Sequence, residues 1–293
     1  MPQINYGKIF TDAFKGEVLG KRCIPLVVLS VLGALVFIPL VFSLMQTVLP
    51  VLPTTSSVQE QDVAVMFSAL IPVILIYAIP MILLGIVFAI VEIFLGCVVV
   101  KQAFEGSPER QVSFKEGAGA VKKKLLGIIA VSILIYVIFA VIGLLGAIPY
   151  IGGFLNAIVS VVLTLMFFVI YPYIVVGDKK AIDALSASVT HFFKNKLQVF
   201  IVWLVTAVIA IVIVLLFMIP LMVAMLPIIM SVAKGPMPQA PAAILQLVIS
   251  NFAPIAIGGV ILAAGAGIVT SFSFGVVARY YKEAVAAQAQ QQA

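Results

Sequence analysis

Residues 194–219 read KNKLQVFIVWLVTAVIAIVIVLLFMI, two lysines followed by an apolar run that continues without a charged residue to Met230. A membrane-spanning helix needs roughly 20 predominantly apolar residues, so this run is long enough to cross a bilayer. Lysines beside a span are typical of its cytoplasmic end. The stretch therefore predicts both a spanning helix and its direction.

Five other stretches have the same apolar character. They lie at Cys23–Val48, within Val63–Val100, and at Leu125–Ile148, Phe154–Val176 and Phe252–Tyr280. The chain is 64% hydrophobic and 10% charged, whereas a soluble domain carries about 25% charged residues. With Leu197–Met230, the sequence predicts an all-α polytopic membrane bundle of six transmembrane helices.

The positive charges follow this arrangement. Of the 17 Lys and Arg residues, all but Lys234 fall in segments that six spans would put on one side. Those residues are Lys8, Lys15, Lys21, Arg22, Lys101, Arg110, Lys115, Lys122, Lys123, Lys124, Lys179, Lys180, Lys194, Lys196, Arg279 and Lys282. The opposite side carries Glu60 and Asp62. Because cytoplasmic segments hold the excess of Lys and Arg, we predict that both termini are cytoplasmic.

Two of the apolar stretches are longer than a bilayer requires. Val63–Val100 contains Pro72 and Pro80, and its length fits one kinked helix or two separate spans. Two spans would put the basic clusters on opposite sides, so we favour one helix. Leu197–Met230 contains Pro220 and Pro227 in its outer half.

Amphipathic segments precede spans 1, 3 and 5. They are Tyr6–Leu19, about Val112–Lys124 and Ala181–Lys196, with apolar residues at helical spacing such as Ile9 and Ala13 or Ile182 and Leu185. We expect them to be interfacial helices in the headgroup layer, with the apolar face toward the lipid. Lys122, Lys123, Lys124, Lys194 and Lys196 are the residues predicted to bind anionic lipid headgroups.

The chain also contains similar segments. Lys122-Lys123-Lys124-Leu125 resembles Lys194-Asn195-Lys196-Leu197, which suggests internal repeats at about residues 4–52, 108–176 and 178–232. The alternative is that basic flanks recur in any membrane hairpin. Residues 1–283 are predicted to form a single transmembrane domain. Residues 284–293 are an Ala/Gln tail, either a fraying extension of span 6 or disordered.

One segment resembles a known group of proteins. It contains Gly177-Asp178-Lys179-Lys180, Ala184-Leu185-Ser186-Ala187-Ser188 and Lys194-Asn195-Lys196. It is similar to an element of poorly characterised bacterial and archaeal six-helix membrane proteins related to the membrane domain of glycerophosphoryl diester phosphodiesterases. The matching residues are Gly177, Ala184, Leu185, Ser188, Lys194 and Asn195. The resemblance implies a prokaryotic plasma membrane, and it brings no catalytic domain.

Glu92 is a carboxylate within an apolar run. An intramembrane carboxylate is a candidate ion or proton site, and the alternative is a position at the inner interface. On span 4, Asn156, Ser160 and Thr164 recur every four residues, with Tyr171 on the same side. They are consistent with a polar transport path or with hydrogen bonds between helices.

Span 6 carries small residues every four positions, namely Gly259, Ala263, Gly267, Ser271 and Gly275. Such a ridge lets another backbone approach closely, either within the chain or from a second protomer or a membrane protein partner.

No catalytic constellation or metal-ligand spacing is recognisable, and His191, the only histidine, is expected to be interfacial. We therefore predict no enzyme activity, cofactor, metal or nucleic-acid partner. The predicted function is a non-catalytic integral membrane protein that organises membranes, interacts with lipid or serves as a partner subunit. The alternative is a small-solute or ion transporter or channel using Glu92 or the Asn156, Ser160 and Thr164 stripe.

Overall fold

A computed structural model describes residues 4–52, 60–106, 112–234 and 241–292, without the side chains of 60–65, 67, 232, 234, 241 and 288–292. These ranges contain helices and no strand, so the predicted all-α class is confirmed. The α-helices are α1 (Tyr6–Ala13), α2 (Ile24–Val48), α3 (Glu60–Glu105), α4 (Phe114–Lys122), α5 (Leu125–Gly143), α6 (Gly152–Met166), α7 (Ile170–Val175), α8 (Ala181–Lys194), α9 (Lys196–Lys234), α10 (Pro241–Ser250) and α11 (Phe252–Gln292). Arg110 lies outside the described residues, as do the side chains of Glu60, Asp62 and Lys234.

Six helical stretches of the described chain are long and apolar enough to cross a membrane. They are Lys21–Val51, Ser68–Glu105, Leu125–Ala147, Gly152–Val175, Lys196–Ser231 and Phe252–Ala287. They coincide with the six predicted spans, which identifies a multi-pass membrane protein.

The two long apolar stretches are continuous helices. Helix α3 has 46 residues and retains Pro72 and Pro80 inside it, which corresponds to about 69 Å. Helix α9 has 39 residues and contains Pro220 and Pro227. The one-helix interpretation of Val63–Val100 is therefore confirmed. Each long helix exceeds the roughly 30 Å of a hydrocarbon core.

The three amphipathic segments contain the helices α1, α4 and α8. Side chains cap the first two, because Asn5 Oδ1 accepts from Lys8 N at 3.0 Å and Ser113 Oγ accepts from Glu116 N at 3.2 Å. Each helix buries part of one face within the protein: Ile9 and Ala13 in α1, Gly117 and Val121 in α4, and Ala184, Ser188 and His191 in α8. Ile182, which the helical spacing assigns to the apolar face of α8, is 74% exposed.

The chain forms two compact units. The first comprises Met1–Leu26, Ile90–Ile211 and Ile268–Ala293. Its core holds two buried clusters, one around Val100, Val121 and Ile174, the other around Ile9, Phe272 and Tyr280. The second unit comprises Val27–Ala89 and Val212–Gly267. Within it, the rings of Phe42 and Phe252 stack with centroids 4.2 Å apart.

The helix α11 continues to Gln292, so the described backbone of the Ala/Gln tail extends the last span as a helix.

Candidate functional site

Four of the five lysines predicted to contact headgroups are exposed. Lys122 and Lys123 lie at the end of α4, and Lys194 and Lys196 lie between α8 and α9. Within the described ranges none of the four has a salt-bridge partner. Lys196 Nζ lies 5.3 Å from the ring centre of Phe193. We call these four residues the basic rim.

Lys124 differs from its neighbours because the protein itself binds it. Its Nζ donates to the Val175 carbonyl at 2.7 Å and forms an ion pair with Asp178. The hydrogen bond from Lys124 and its positive charge lower the pKa of the Asp178 carboxyl. Lys124 thus connects the start of α5 to the turn after α7, and its ammonium group is already neutralised.

Contacts within the protein account for four of the six residues that carry the resemblance. Ser188 Oγ donates to the Met166 carbonyl at 2.7 Å, and Ala184 is fully buried. Asn195 Nδ2 donates to the His191 carbonyl at 3.1 Å and so caps the end of α8. A Cβ on Gly177 would lie 2.8 Å from the Tyr173 carbonyl oxygen. These contacts explain the residue types by packing and helix capping.

Glu92 is half-buried in α3. Its Oε1 accepts a hydrogen bond from Thr270 Oγ1 at 3.0 Å. Lys101 forms its ion pair with Glu105 at 2.6 Å. In the described part of the chain, Glu92 has no cationic partner.

The polar stripe of span 4 makes its hydrogen bonds within α6. Ser160 Oγ donates to Asn156 Oδ1 at 3.4 Å, and Thr164 Oγ1 donates to the Ser160 carbonyl at 2.8 Å. Tyr171 lies on α7 and shares a hydrogen bond of 3.1 Å with Ser132. The structure therefore joins the first three residues and gives Tyr171 a different partner.

A cavity of about 390 Å³ lies within the first unit. Its walls are mostly apolar and include Ile135, Phe139, Phe167, Trp203, Ala207 and Phe274. Four hydroxyl side chains line it. Thr164 bonds within its helix, Thr206 donates to the Val202 carbonyl at 2.6 Å, and Tyr171 bonds to Ser132; the fourth is Ser273. The cavity is lined by no ionisable carboxylate or amine of the described residues, so its chemistry suits an apolar group.

The small-residue ridge of span 6 has several kinds of neighbour. A Cβ on Gly259 would lie 3.4 Å from Ile38 Cδ1, and one on Gly275 would lie 2.7 Å from the carboxyl group of Glu17. Gly267 and Ser271 are buried, and Ser271 Oγ has no hydrogen-bond partner among the described residues; Ala263 is partly buried. Two glycines outside this ridge, Gly258 and Gly265, make closer helix contacts.

The sequence analysis missed Glu17, which is fully buried. Arg279 contacts both of its oxygens, at 2.5 Å from Nη1 and 3.1 Å from Nη2, and Arg22 Nη1 lies 3.2 Å from Oε1. The three residues belong to the first unit. The sequence offered two signals for it: a carboxylate among the cations that precede span 1, and a glycine at position 275 in the small-residue ridge of span 6.

His191, which the sequence predicts to be interfacial, is buried among side chains of the protein. Its Nε2 lies 3.0 Å from the Tyr280 hydroxyl, and its Nδ1 lies 3.4 Å from the Tyr173 hydroxyl. Burial lowers the pKa of the imidazole to about 4, because the charged form loses its hydration. At neutral pH the ring is therefore a neutral hydrogen-bonding group.

Among the residues that the structure describes, no three His, Cys, Asp or Glu side chains come together as metal ligands. No protein-family model, curated protein or solved structure matches this chain.

Proposed function

We propose that the chain is a non-catalytic integral protein of a prokaryotic plasma membrane, with cytoplasmic termini, that binds anionic phospholipid headgroups through the basic rim. Membrane organisation, lipid handling or service as a partner subunit are the roles that suit such binding. The resemblance of residues 177–197 to prokaryotic six-helix membrane proteins supports the choice of membrane.

The observation that carries this proposal is the exposure of Lys122, Lys123, Lys194 and Lys196 beside two spanning helices. They lie next to the starts of α5 and α9, which the distribution of positive charges predicts to be cytoplasmic. Each lysine near an anionic surface contributes about 1 kcal/mol to the attraction. Helices α1, α4 and α8 would lie at the same depth, with their charged faces toward the headgroups.

Lipid titration of the purified protein tests the proposal. Bound lipids are counted by native mass spectrometry with phosphatidylglycerol and, separately, with phosphatidylcholine. Removing two lysines together, by Lys122→Gln with Lys123→Gln or by Lys194→Gln with Lys196→Gln, removes about 2 kcal/mol of attraction and is expected to weaken phosphatidylglycerol binding about 30-fold. Phosphatidylcholine binding stays unchanged, because its headgroup has no net charge.

Lys124→Gln, which removes one charge where each double variant removes two, is the control. The charge it removes lies next to Lys123, but on a lysine that Asp178 already neutralises. It is expected to leave phosphatidylglycerol binding unchanged and to lower the thermal unfolding midpoint. Equal phosphatidylglycerol affinity of wild type and both double variants would refute lipid binding by the basic rim.

The alternative, a transporter or channel, rests on Glu92 and on the stripe of span 4. The described contacts of these residues are hydrogen bonds to Thr270 and within α6, of 2.8–3.4 Å. Such contacts meet the needs of the polar groups without a transported ion. They favour the lipid-binding proposal over transport.

A further inference from the structure

Glu17, Arg22 and Arg279 form a charged cluster that the proposed function does not use. One fully buried carboxylate contacts two guanidinium groups, so the cluster carries one net positive charge. Glu17 lies in the π-helical turn Phe14–Val18, between α1 and the first span. Such turns are rare and occur frequently at functional sites.

The two arginines differ in how many of their N–H groups are hydrogen-bonded to the protein. Arg279 donates to both oxygens of Glu17 and to the Gly275 carbonyl at 3.1 Å, and its side chain is 12% exposed. Arg22 has a single hydrogen bond to a described residue, from Nη1 to Glu17, and is 21% exposed. A guanidinium group has five N–H donors in a planar fork. Arg22 therefore keeps donors that no described protein acceptor uses.

Glycines provide the space for the cluster. A Cβ on Gly16 would lie 2.9 Å from Arg279 Nη2, and a Cβ on Gly106 would lie 2.8 Å from Arg22 Nη2. On Gly275 it would meet the Glu17 carboxyl group at 2.7 Å. Any larger side chain at these positions would displace the charged groups.

A second cation lies beside Gly106. Lys282 Nζ donates to the Gly106 carbonyl at 3.4 Å, and the side chain is exposed. Arg22 and Lys282 therefore both lie next to the same residue, at the start of the first span and near the end of the last one. Neither cation has a described carboxylate partner other than Glu17.

We propose that Arg22 and Lys282 form a phosphate-binding site, in which Glu17, itself bound by Arg279, holds the Arg22 guanidinium. A planar fork binds phosphate oxygens in pairs, and a nearby ammonium adds a point charge. The positions of Arg22 and Lys282 beside Gly106 support a phosphate site independently of the proposed function. In the proposed orientation these helix ends would lie at the depth of the inner-leaflet phosphates, so the ligand is a phospholipid phosphate. Free inorganic phosphate has the same chemistry and is the second ligand to be tested.

The test compares Arg22→Gln with Lys21→Gln in the full chain. The two substitutions remove one charge each from neighbouring positions, and Lys21 is exposed with no described partner. Dioleoyl phosphatidate is titrated against detergent-purified protein by native mass spectrometry, and inorganic phosphate by calorimetry. Arg22→Gln is expected to weaken binding of at least one probe about tenfold, and Lys21→Gln less than about twofold.

The two probes identify the source. Loss confined to phosphatidate assigns a lipid headgroup, and loss of inorganic phosphate binding assigns free phosphate. Equal affinities of Arg22→Gln and Lys21→Gln for both probes would overturn the site and leave Arg22 a purely structural partner of Glu17. If Arg22→Gln does not fold, Lys282→Gln replaces it with the same expected loss, and unchanged binding by that variant overturns the site.

The result of this test does not depend on whether the basic rim binds lipid, because the two proposals are tested with different variants. If the basic rim does not bind lipid, the two double lysine variants will bind phosphatidylglycerol as tightly as wild type does. If Arg22 does not bind phosphate, Arg22→Gln will bind phosphatidate and inorganic phosphate as tightly as wild type does. Arg22→Lys adds a readout of geometry: it retains the charge and loses the fork, so binding should fall to between wild type and Arg22→Gln.

Discussion

Side chains of the same type have very different surroundings in this protein. Lys123 is exposed, whereas Lys124 beside it bonds to Val175 and Asp178. Glu105 is partly exposed and pairs with Lys101 on its own helix, whereas Glu17 is fully buried between two arginines. A buried carboxylate requires such partners, because an uncompensated buried charge costs several kcal/mol.

His191 gives a prediction about pH. Its folded pKa of about 4 lies below the unfolded value of 6.5, so the unfolded chain binds the extra proton between these values. Stability is therefore expected to be full above pH 6.5 and to fall as the pH drops toward 4. The thermal unfolding midpoint in detergent, measured from about pH 7.5 to about 4.5, gives this dependence.

His191→Gln retains hydrogen-bonding capacity toward Tyr280 and Tyr173 and does not titrate. It should be less stable than wild type at neutral pH and should lose less stability on acidification. An identical pH dependence in wild type and His191→Gln would contradict the assignment to His191. The comparison is direct, because His191 is the sole histidine of the chain and no other imidazole contributes.

At the scale of secondary-structure elements, the close packing of α11 against α9 depends on which glycines of α11 lie against the α9 backbone. Within the second unit, a Cβ on Gly258 of α11 would lie 2.6 Å from Leu221 Cα of α9. A Cβ on Gly265, about two turns later, would lie 2.5 Å from Phe217 Cβ. These two positions let the backbones of α11 and α9 approach closely.

Adjacent glycines provide a matched pair of variants. Gly258→Ala puts a methyl group against the α9 backbone, which cannot move without shifting the helix, so a loss of about 1–3 kcal/mol is expected. Gly259→Ala meets only Ile38 Cδ1 at 3.4 Å. It should be neutral or slightly stabilising, because alanine favours a helix by about 1 kcal/mol over glycine.

Thermal unfolding midpoints in one detergent measure both variants. Equal midpoints, or a larger loss for Gly259→Ala, would contradict the prediction that the close approach of α11 to α9 at Gly258 determines the stability of this pair of helices.

At the scale of the whole molecule, the proposed orientation in the membrane is inferred from the distribution of Lys and Arg along the sequence. Cysteine labelling tests it in a chain that carries Cys23→Ala and Cys97→Ala. A membrane-impermeant maleimide applied to intact cells is expected to label Ser250→Cys, on the α10 side of the last span. It should label Lys123→Cys only after the membrane is opened. Labelling of Lys123→Cys in intact cells would reverse the proposed orientation.

The six spans and their helical state follow from sequence because they depend on local composition. An uninterrupted apolar run such as Leu197–Met230 has to satisfy its backbone hydrogen bonds within itself in lipid, and a helix does so. The same argument identifies the lysines that flank the runs, but it does not distinguish the exposed Lys123 from Lys124, which pairs with Asp178. The fold class and the positions of the flanking lysines were therefore predictable without the tertiary structure, whereas the exclusion of Lys124 from the basic rim was not.

Other features depend on contacts between distant parts of the chain. Glu17 and Arg279 are 262 residues apart in sequence, and Lys124 and Val175 are 51 apart. Periodicity cannot show which of two glycines, Gly258 or Gly259, faces the α9 backbone. The sequence by itself determined an all-helical membrane protein with six long apolar helices. Only the tertiary structure decided which charges are paired, which are buried and which remain free, because burial and pairing are set by neighbours that no local pattern encodes.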